Sequence, residues 1–363
     1  MKVQIDKLVL LGGLQTVQNV IIAKASLPIL SNVLLETQEG QLRLTATDLD
    51  IGITCLVPVD IQEAGAVTVL AKRFSDIIKE LPGDTIQIVT KKNNQVNIEA
   101  GLCQFKVMGL AREEFPHLPE FKDKEVIKLE QGALKEMLRL TSFSVSMDET
   151  RYILNGILFK INKNILTLVA TDGKRLAVIE KKLASGSNKD ISIIVPIKTI
   201  HELNRNLQEE GGLSLVLGGN QVLFELGGVT VVSRLIEGEF PDYKQVIPPV
   251  TENTVCVNRE ALLLAVKRAA LLSTPDYQAV KFEVFKNKLV VSKSTPDIGE
   301  SREEMPISYQ GKELIIGFNP TYLADVLKNL NEESIGLELT DTEKPGVIRI
   351  NGYIYIVLPM RLN

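Results

Sequence analysis

The chain repeats one pattern three times. The segment beginning at Asn32, NVLLETQEGQLRLTATDLDIGI, matches that beginning at Asn155, NGILFKINKNILTLVATDGKRLAVIE, and both match AVKFEVFKNKLVVSKSTPDIGESREEM from Ala279. Each is an alternating apolar run, a polar turn and a second alternating run. That reads as a β-hairpin, because successive strand side chains point to opposite faces. A short apolar strand and a helical pattern follow each hairpin: VTVLAKRFSDIIKELPG, ISIIVPIKTIHELNRNLQEEGG and LIIGFNPTYLADVLKNLNEE. Phe74, Ile77, Ile78 and Leu81 share one helical face in the first of these, and Leu323, Val326, Leu327 and Leu330 share one in the third. Another helix precedes each hairpin, near residues 7–20, 132–143 and 259–272, and each unit closes on a strand pair. Such a chain folds as tandem copies of one α+β domain with antiparallel sheets. Glu-Phe-Pro at 114–116 and again at 239–241 marks Pro-rich connectors, which divides the chain into domains 1–125, 126–250 and 251–363. Unpaired sheet edges need cover, and a ring in which the third domain meets the first domain of another chain provides it.

Composition narrows the chemistry. Hydrophobic residues make up 45% and charged residues 24% of 363, the balance of a globular protein. There is no Trp and there are two histidines, His117 and His201, whereas metal and acid–base sites lean heavily on His. Cys55, Cys103 and Cys256 are far apart and form no CxxC pair, which fits a reducing compartment. The opening MKVQIDKLVLLGG lacks the h-region of a signal peptide, and no apolar run reaches the length of a membrane span. The expectation is a cytoplasmic protein with no membrane partner and no cofactor. A net charge of −4 argues against indiscriminate coating of nucleic acid but allows positive charge confined to one surface.

The segment VATDGKRLAV looks at first like a phosphate loop, yet Arg175 follows Gly173-Lys174 and Leu168 stands where the leading Gly belongs. DLDIG, at 48–52, is too short for a calcium loop. There is no HExxH, GxSxG or GxGxxG. His117 lies in a Pro-rich linker and His201 beside Glu202, so no catalytic residue and no metal site is expected. Ala-Thr-Asp recurs at 46–48 and 170–172, where Thr and Asp side chains can bond nearby backbone and form a turn.

Five motifs in register carry a resemblance across the whole chain: LPILSNVLL, RYILNGILF, ATDGKRLAV, EGEFPDY and the terminal LPMRL. Together they resemble the bacterial DNA polymerase III beta subunit, the sliding clamp. The resemblance implies a non-catalytic processivity factor: three clamp domains per chain, two chains head to tail in a ring around duplex DNA, helices lining the interior and sheets outside. It implies DNA-contacting positions at Lys24, Lys72 and Tyr152, with Arg151 nearby. Further candidates on or near the lining helices are Arg73, Lys135, Arg139, Lys198, Arg205, Lys267 and Arg268. Lys135 and Arg139 are four apart and share a face, opposite Leu134, Met137 and Leu138. The sequence departs from a common family pattern at Asp148 and Ile153.

The resemblance also implies a groove for short linear motifs of the polymerase III alpha subunit, the clamp loader, other polymerases and repair proteins. Its walls would be Leu154, Thr171, Gly173, Arg175, Leu176, Pro241, Val246, Tyr322, Val357, Leu358, Pro359, Met360 and Arg361. Leu176, Val246, Leu358 and Met360 would offer apolar area, Gly173 close approach, and Arg175 and Arg361 hydrogen bonds. The implied dimer interface pairs the strand holding Phe105 and Val107 with the helix near Leu271 and Leu272; Leu102-Cys103-Gln104 lacks the basic residues some members carry there. Two other readings differ in what they predict. A non-DNA tandem-repeat scaffold would bind no polymerase peptide, and a phosphotransferase at TDGK would bind nucleotide and lose activity in Asp172→Ala.

Overall fold

The computed structural model describes residues 1–21, 27–119, 121, 125–183 and 190–362. The first repeat supplies β1 (Lys2–Asp6), α1 (Lys7–Gln18), β2 (Asn32–Gln38), β3 (Gln41–Thr47), β4 (Ile51–Pro58), β5 (Asp60–Glu63), β6 (Ala66–Leu70), α2 (Ala71–Glu80), β7 (Thr85–Thr90), β8 (Gln95–Ala100) and β9 (Cys103–Met108). The second supplies β10 (Val126–Glu130), α3 (Gln131–Thr141), β11 (Gly156–Asn162), β12 (Ile165–Thr171), β13 (Arg175–Lys182), β14 (Ile191–Pro196), α4 (Ile197–Asn206), β15 (Gly212–Gly218), β16 (Gln221–Leu226) and β17 (Val229–Arg234). The third supplies β18 (Thr254–Asn258), α5 (Arg259–Ala270), β19 (Val280–Phe285), β20 (Lys288–Thr295), β21 (Gly299–Pro306), β22 (Leu314–Phe318), α6 (Pro320–Asn329), β23 (Ser334–Glu338), β24 (Gly346–Ile350) and β25 (Tyr353–Val357).

Local chemistry starts the helices. The Asp6 carboxylate accepts from the Leu8 and Val9 amides, Asn258 from Ala261, and Asn319 from Thr321, satisfying donors that a helix start leaves free. Helix ends fall short of the apolar pattern. α1 stops at Gln18, α3 gives way to a 3₁₀ turn over Ser142–Ser144, and α5 ends at Ala270, although Val20, Phe143 and Leu272 continue the periodicity. None of these ends carries a Gly or Pro stop, so periodicity alone overran them. The short strand β5 has no counterpart in the sequence reading.

Two compact units result: Met1–Lys135 with His201–Leu235, and Glu136–Ile200 with Ile236–Asn363. The first holds a five-stranded sheet, β5-β1-β7-β8-β9, and an eight-stranded sheet, β10-β15-β16-β17-β4-β3-β2-β6. The second holds an eight-stranded sheet, β14-β11-β12-β13-β25-β24-β23-β18, and a four-stranded one, β21-β20-β19-β22. Each eight-stranded sheet joins strands of the middle repeat to strands of an outer one at an antiparallel seam. At one seam Val229 faces Cys55 and Val231 faces Ile53; at the other Tyr353 faces Ile179 and Tyr355 faces Ala177.

The cores lie between helices and sheets. Leu10, Leu14 and Val17 of α1 are buried, and a Cβ at Gly13 would come within 2.6 Å of Leu44, so the helix sits as close to the sheet as glycine permits. Leu262 and Val266 of α5 and Leu323, Val326 and Leu327 of α6 are likewise buried. Each such side chain contributes about 1.5–3 kcal/mol by leaving water. The connectors cover the outer sheet faces. A Cβ at Gly52 would lie 2.4 Å from Leu118, and Phe240, Tyr243 and Ile247 pack on a cluster that includes Leu158, Val169, Leu176 and Val178.

Candidate functional site

The two Ala-Thr-Asp copies build the same turn. Asp172 Oδ1 accepts from the Lys174 and Arg175 amides at 2.9 and 3.0 Å, the Thr171 hydroxyl donates to the Arg175 carbonyl at 2.6 Å, and the Gly173 amide donates to Thr171 Oγ1 at 3.0 Å. In the first repeat Asp48 accepts from Asp50 and Ile51 at 3.0 and 2.8 Å, Thr47 donates to the Ile51 carbonyl at 2.8 Å, and the Leu49 amide donates to Thr47. The third turn residue is left-handed in both, with φ +84° at Gly173 and +81° at Leu49. The segment is therefore a turn held by its own side chains, and a phosphate loop is not what it forms.

What distinguishes the second copy is Arg175. Its side chain is 9% exposed, with Nε donating to Asp172 at 3.0 Å and Nη1 to Asp325 at 2.7 Å. The guanidinium lies 4.4 Å from the Tyr322 ring centroid and 5.7 Å from that of Phe143. Two carboxylates and two aromatic faces together offset the desolvation of a buried cation, and its partners raise its pKa against that burial. Arg175 is thus a fixed post of the wall, committed to protein partners, and less a free donor than its sequence context implied. Sequence reading missed Asp325 and Phe143, because nothing local connects either to β13.

The other wall residues divide by exposure. Pro241, Val246, Leu358 and Arg361 are exposed, with Val246 at 58% and Leu358 at 46%. Leu154, Thr171, Tyr322, Pro359 and Met360 are half-buried, and Gly173 is open. Leu176 and Val357 are instead buried core residues, so the apolar area Leu176 was expected to offer belongs to the floor beneath the surface. The β13–β25 seam sets Arg175 opposite Val357 and Leu176 opposite Ile356, and the Leu358 amide donates to the Lys174 carbonyl at 2.9 Å. The Tyr355 hydroxyl donates to the Tyr322 carbonyl at 2.8 Å, tying α6 to the same seam. Burial pushes the phenols of Tyr322 and Tyr355 upward, so both stay neutral donors.

The candidate nucleic-acid residues are dispersed. In the first unit Lys72 and Arg73 are exposed at the start of α2, Lys135 pairs with Glu209 at 2.6 Å, and Arg205 pairs with the buried Glu202. In the second, Lys198 and Lys267 are exposed, Tyr152 is 58% exposed, and Arg151 donates to the Asp172 carbonyl at 3.3 Å. Arg268 pairs with Glu303 at 2.5 Å. Arg139 donates to the Asn329 carbonyl, a contact the shared-face reading of α3 did not foresee. Lys24 lies outside the described residues. Of the interface candidates, Phe105 is 38% and Leu271 81% exposed, while Val107 and Leu272 are half-buried.

Known proteins match along the whole length. Family models of the DNA polymerase III beta subunit fit in order: the N-terminal domain over residues 1–119, the central domain over 128–242 and the C-terminal domain over 244–361. The beta sliding clamp of Pseudomonas putida is 35% identical over 363 residues, 99% of each chain. The crystal structure of the DNA polymerase sliding clamp from Bacillus subtilis has a TM-score of 0.96 at 30% identity, covering 100% of both chains. A sliding clamp from Pseudomonas aeruginosa bound to griselimycin has a TM-score of 0.95 at 34% identity. Tandem α+β domains joined at repeated sheet seams are thus those of a clamp protein. The chain belongs to the DNA polymerase III beta subunit family, the sliding clamps of bacterial DNA replication.

Proposed function

We propose that the chain works as a head-to-tail homodimer, a closed ring of six domains divided at 125/126 and 250/251 that encircles duplex DNA and tethers its polymerase. One observation carries this reading. The seams β17–β4 and β13–β25 follow one rule, in which the strand after a two-residue turn pairs with the fourth strand of the neighbouring repeat. The corresponding strands β9 and β21 are sheet edges. Cys103 follows its turn as Val229 and Tyr353 do, and Glu303, opposite Val291, corresponds to Cys55 and Ile179, opposite Leu44 and Leu168. Extending the rule to two copies sets Cys103 opposite Glu303, Gln104 opposite Arg302, Phe105 opposite Ser301 and Lys106 opposite Glu300. Unsatisfied edges of this kind invite such pairing.

Topology then replaces affinity. Each neutralised phosphate adds salt-dependent grip, so a ring that must slide needs few contacts. Lys24, Lys72, Arg73, Lys135, Arg139, Arg151, Tyr152, Lys198, Arg205 and Lys267 are the candidates for a modestly positive lining. The groove beside Arg175 takes apolar linear motifs of the polymerase III alpha subunit, the clamp loader and repair proteins, through Val246, Leu358 and Met360. The chain is non-catalytic and cytoplasmic in this reading; no helix among the described residues is long and apolar enough to cross a membrane. Sedimentation velocity tests the dimer: the wild type sediments at twice the chain mass and Leu272→Asp at the chain mass. A wild type that stays monomeric, or a variant that stays dimeric, contradicts the assigned interface.

A further inference from the structure

The third repeat differs from the other two on its outer sheet face. Counting back equally from the three hairpin turns, Leu34 and Leu158 correspond to Lys281; their cross-strand partners Thr45 and Val169 correspond to Ser292, and the next partners Thr54 and Val178 to Arg302. In the first two repeats a connector lies over this face: Phe115 and Leu118 beside Leu34 and Thr45, Phe240 and Tyr243 over Val169 and Val178. In the third, the same face borders an open cavity of about 600 Å³. Its charged lining is Lys281, Lys293, Arg302 and Arg361 against Asp276 and Glu300, a cationic excess.

Lys293, the residue after Ser292, points to the opposite, helix-facing side of the strand and anchors the rim of this cavity from beneath. It stands where the other repeats have Ala46 and Ala170, is 6% exposed, and donates to the Tyr277 and Ala279 carbonyls at 2.7 and 2.9 Å. A buried ammonium is unfavourable unless its partners or a ligand repay desolvation, and this one fixes the loop that forms the cavity rim. Lys281 pairs with Glu283 at 3.0 Å, both half-buried, and Arg302 pairs with Glu304 at 2.5 Å, both exposed, the latter a kind of pair that contributes little and exchanges partners readily. Met360 and Arg361, candidate walls of the groove, also line the cavity, so the two are continuous.

We propose that this face binds an acidic, extended stretch of polypeptide flanking the apolar motif, lying where a connector lies in the first two repeats. The inference rests on the peptide-groove reading. The test uses the full-length protein and fluorescence polarisation with a labelled Leu-Leu-Phe peptide, alone and carrying Asp-Glu-Asp-Glu at either end. One extended peptide should bind at least about threefold tighter at low salt, and the gain should vanish at high salt, where charge pairs are screened. Lys281→Glu should reduce that gain without changing the unextended peptide, whereas Val246→Asp should weaken both. No gain, or a gain that survives in Lys281→Glu, overturns the inference and leaves the groove intact. If the wild type binds neither peptide, the groove reading fails and this inference with it. Displacement of the acidic extension by a single-stranded oligonucleotide that depends on Lys281 assigns the face to nucleic acid and overturns the polypeptide.

Discussion

Leu49 occupies a left-handed backbone position, φ +81°, that its repeat partner fills with Gly173. A Cβ there costs roughly 1–2 kcal/mol, and the Leu49 side chain is 47% exposed, so little burial offsets it. Leu49→Gly should raise stability by up to about 1 kcal/mol in thermal denaturation, after glycine's own entropy is counted; a lower Tm would mean the Leu49 side chain has a role not visible in its exposure. Asp172 accepts from two backbone amides and from Arg175 Nε. Asp172→Ala should cost about 1.5–3 kcal/mol, the range for hydrogen bonds to charged groups, and weaken peptide binding by loosening the wall. A nucleotide-binding site would instead lose nucleotide affinity, which isothermal titration distinguishes. At this scale the Thr-Asp turn was legible, because its bonds are local. Two of Arg175's partners were not, since Asp325 and Phe143 lie outside its own turn and strand, and Tyr322 was reached only through the family resemblance.

Hairpins and helices were legible as elements, because alternation and 3.6-residue periodicity are short-range signals. The seams were not. β17–β4 and β13–β25 join strands distant in sequence, and no residue pattern announces such a partner. Those seams now supply a register, and with it an element-scale prediction. Lys106→Glu should break the dimer by placing like charges opposite each other, and Glu300→Lys added to it should restore dimer mass. A double variant no better than the single one would reject the register. Helix α4 offers a second test. Burial and the nearby Arg205 cation hold the His201 imidazole below its ordinary value. The folded state therefore binds fewer protons than the unfolded one below about pH 6.5, so stability should fall as pH drops through that range and level off beneath the native value. His201→Gln should flatten the profile in urea titrations; an unchanged profile would assign the pH dependence to other groups.

At the scale of the molecule, the threefold repeat and the five motifs carried the family, since tandem duplication and motif order survive where single positions drift. A net charge of −4 is compatible with a DNA-tethering role only if retention is topological, with positive charge kept to one surface. Mutating lining candidates such as Lys72 or Lys198 should then lower the salt tolerance of loading while leaving dimer mass unchanged. Electron microscopy of the purified protein at moderate salt tests the central claim most directly. The account predicts class averages of a closed, six-lobed ring with a central opening wide enough for duplex DNA. Crescents with free ends at every concentration would contradict ring closure and, with it, the topological tether.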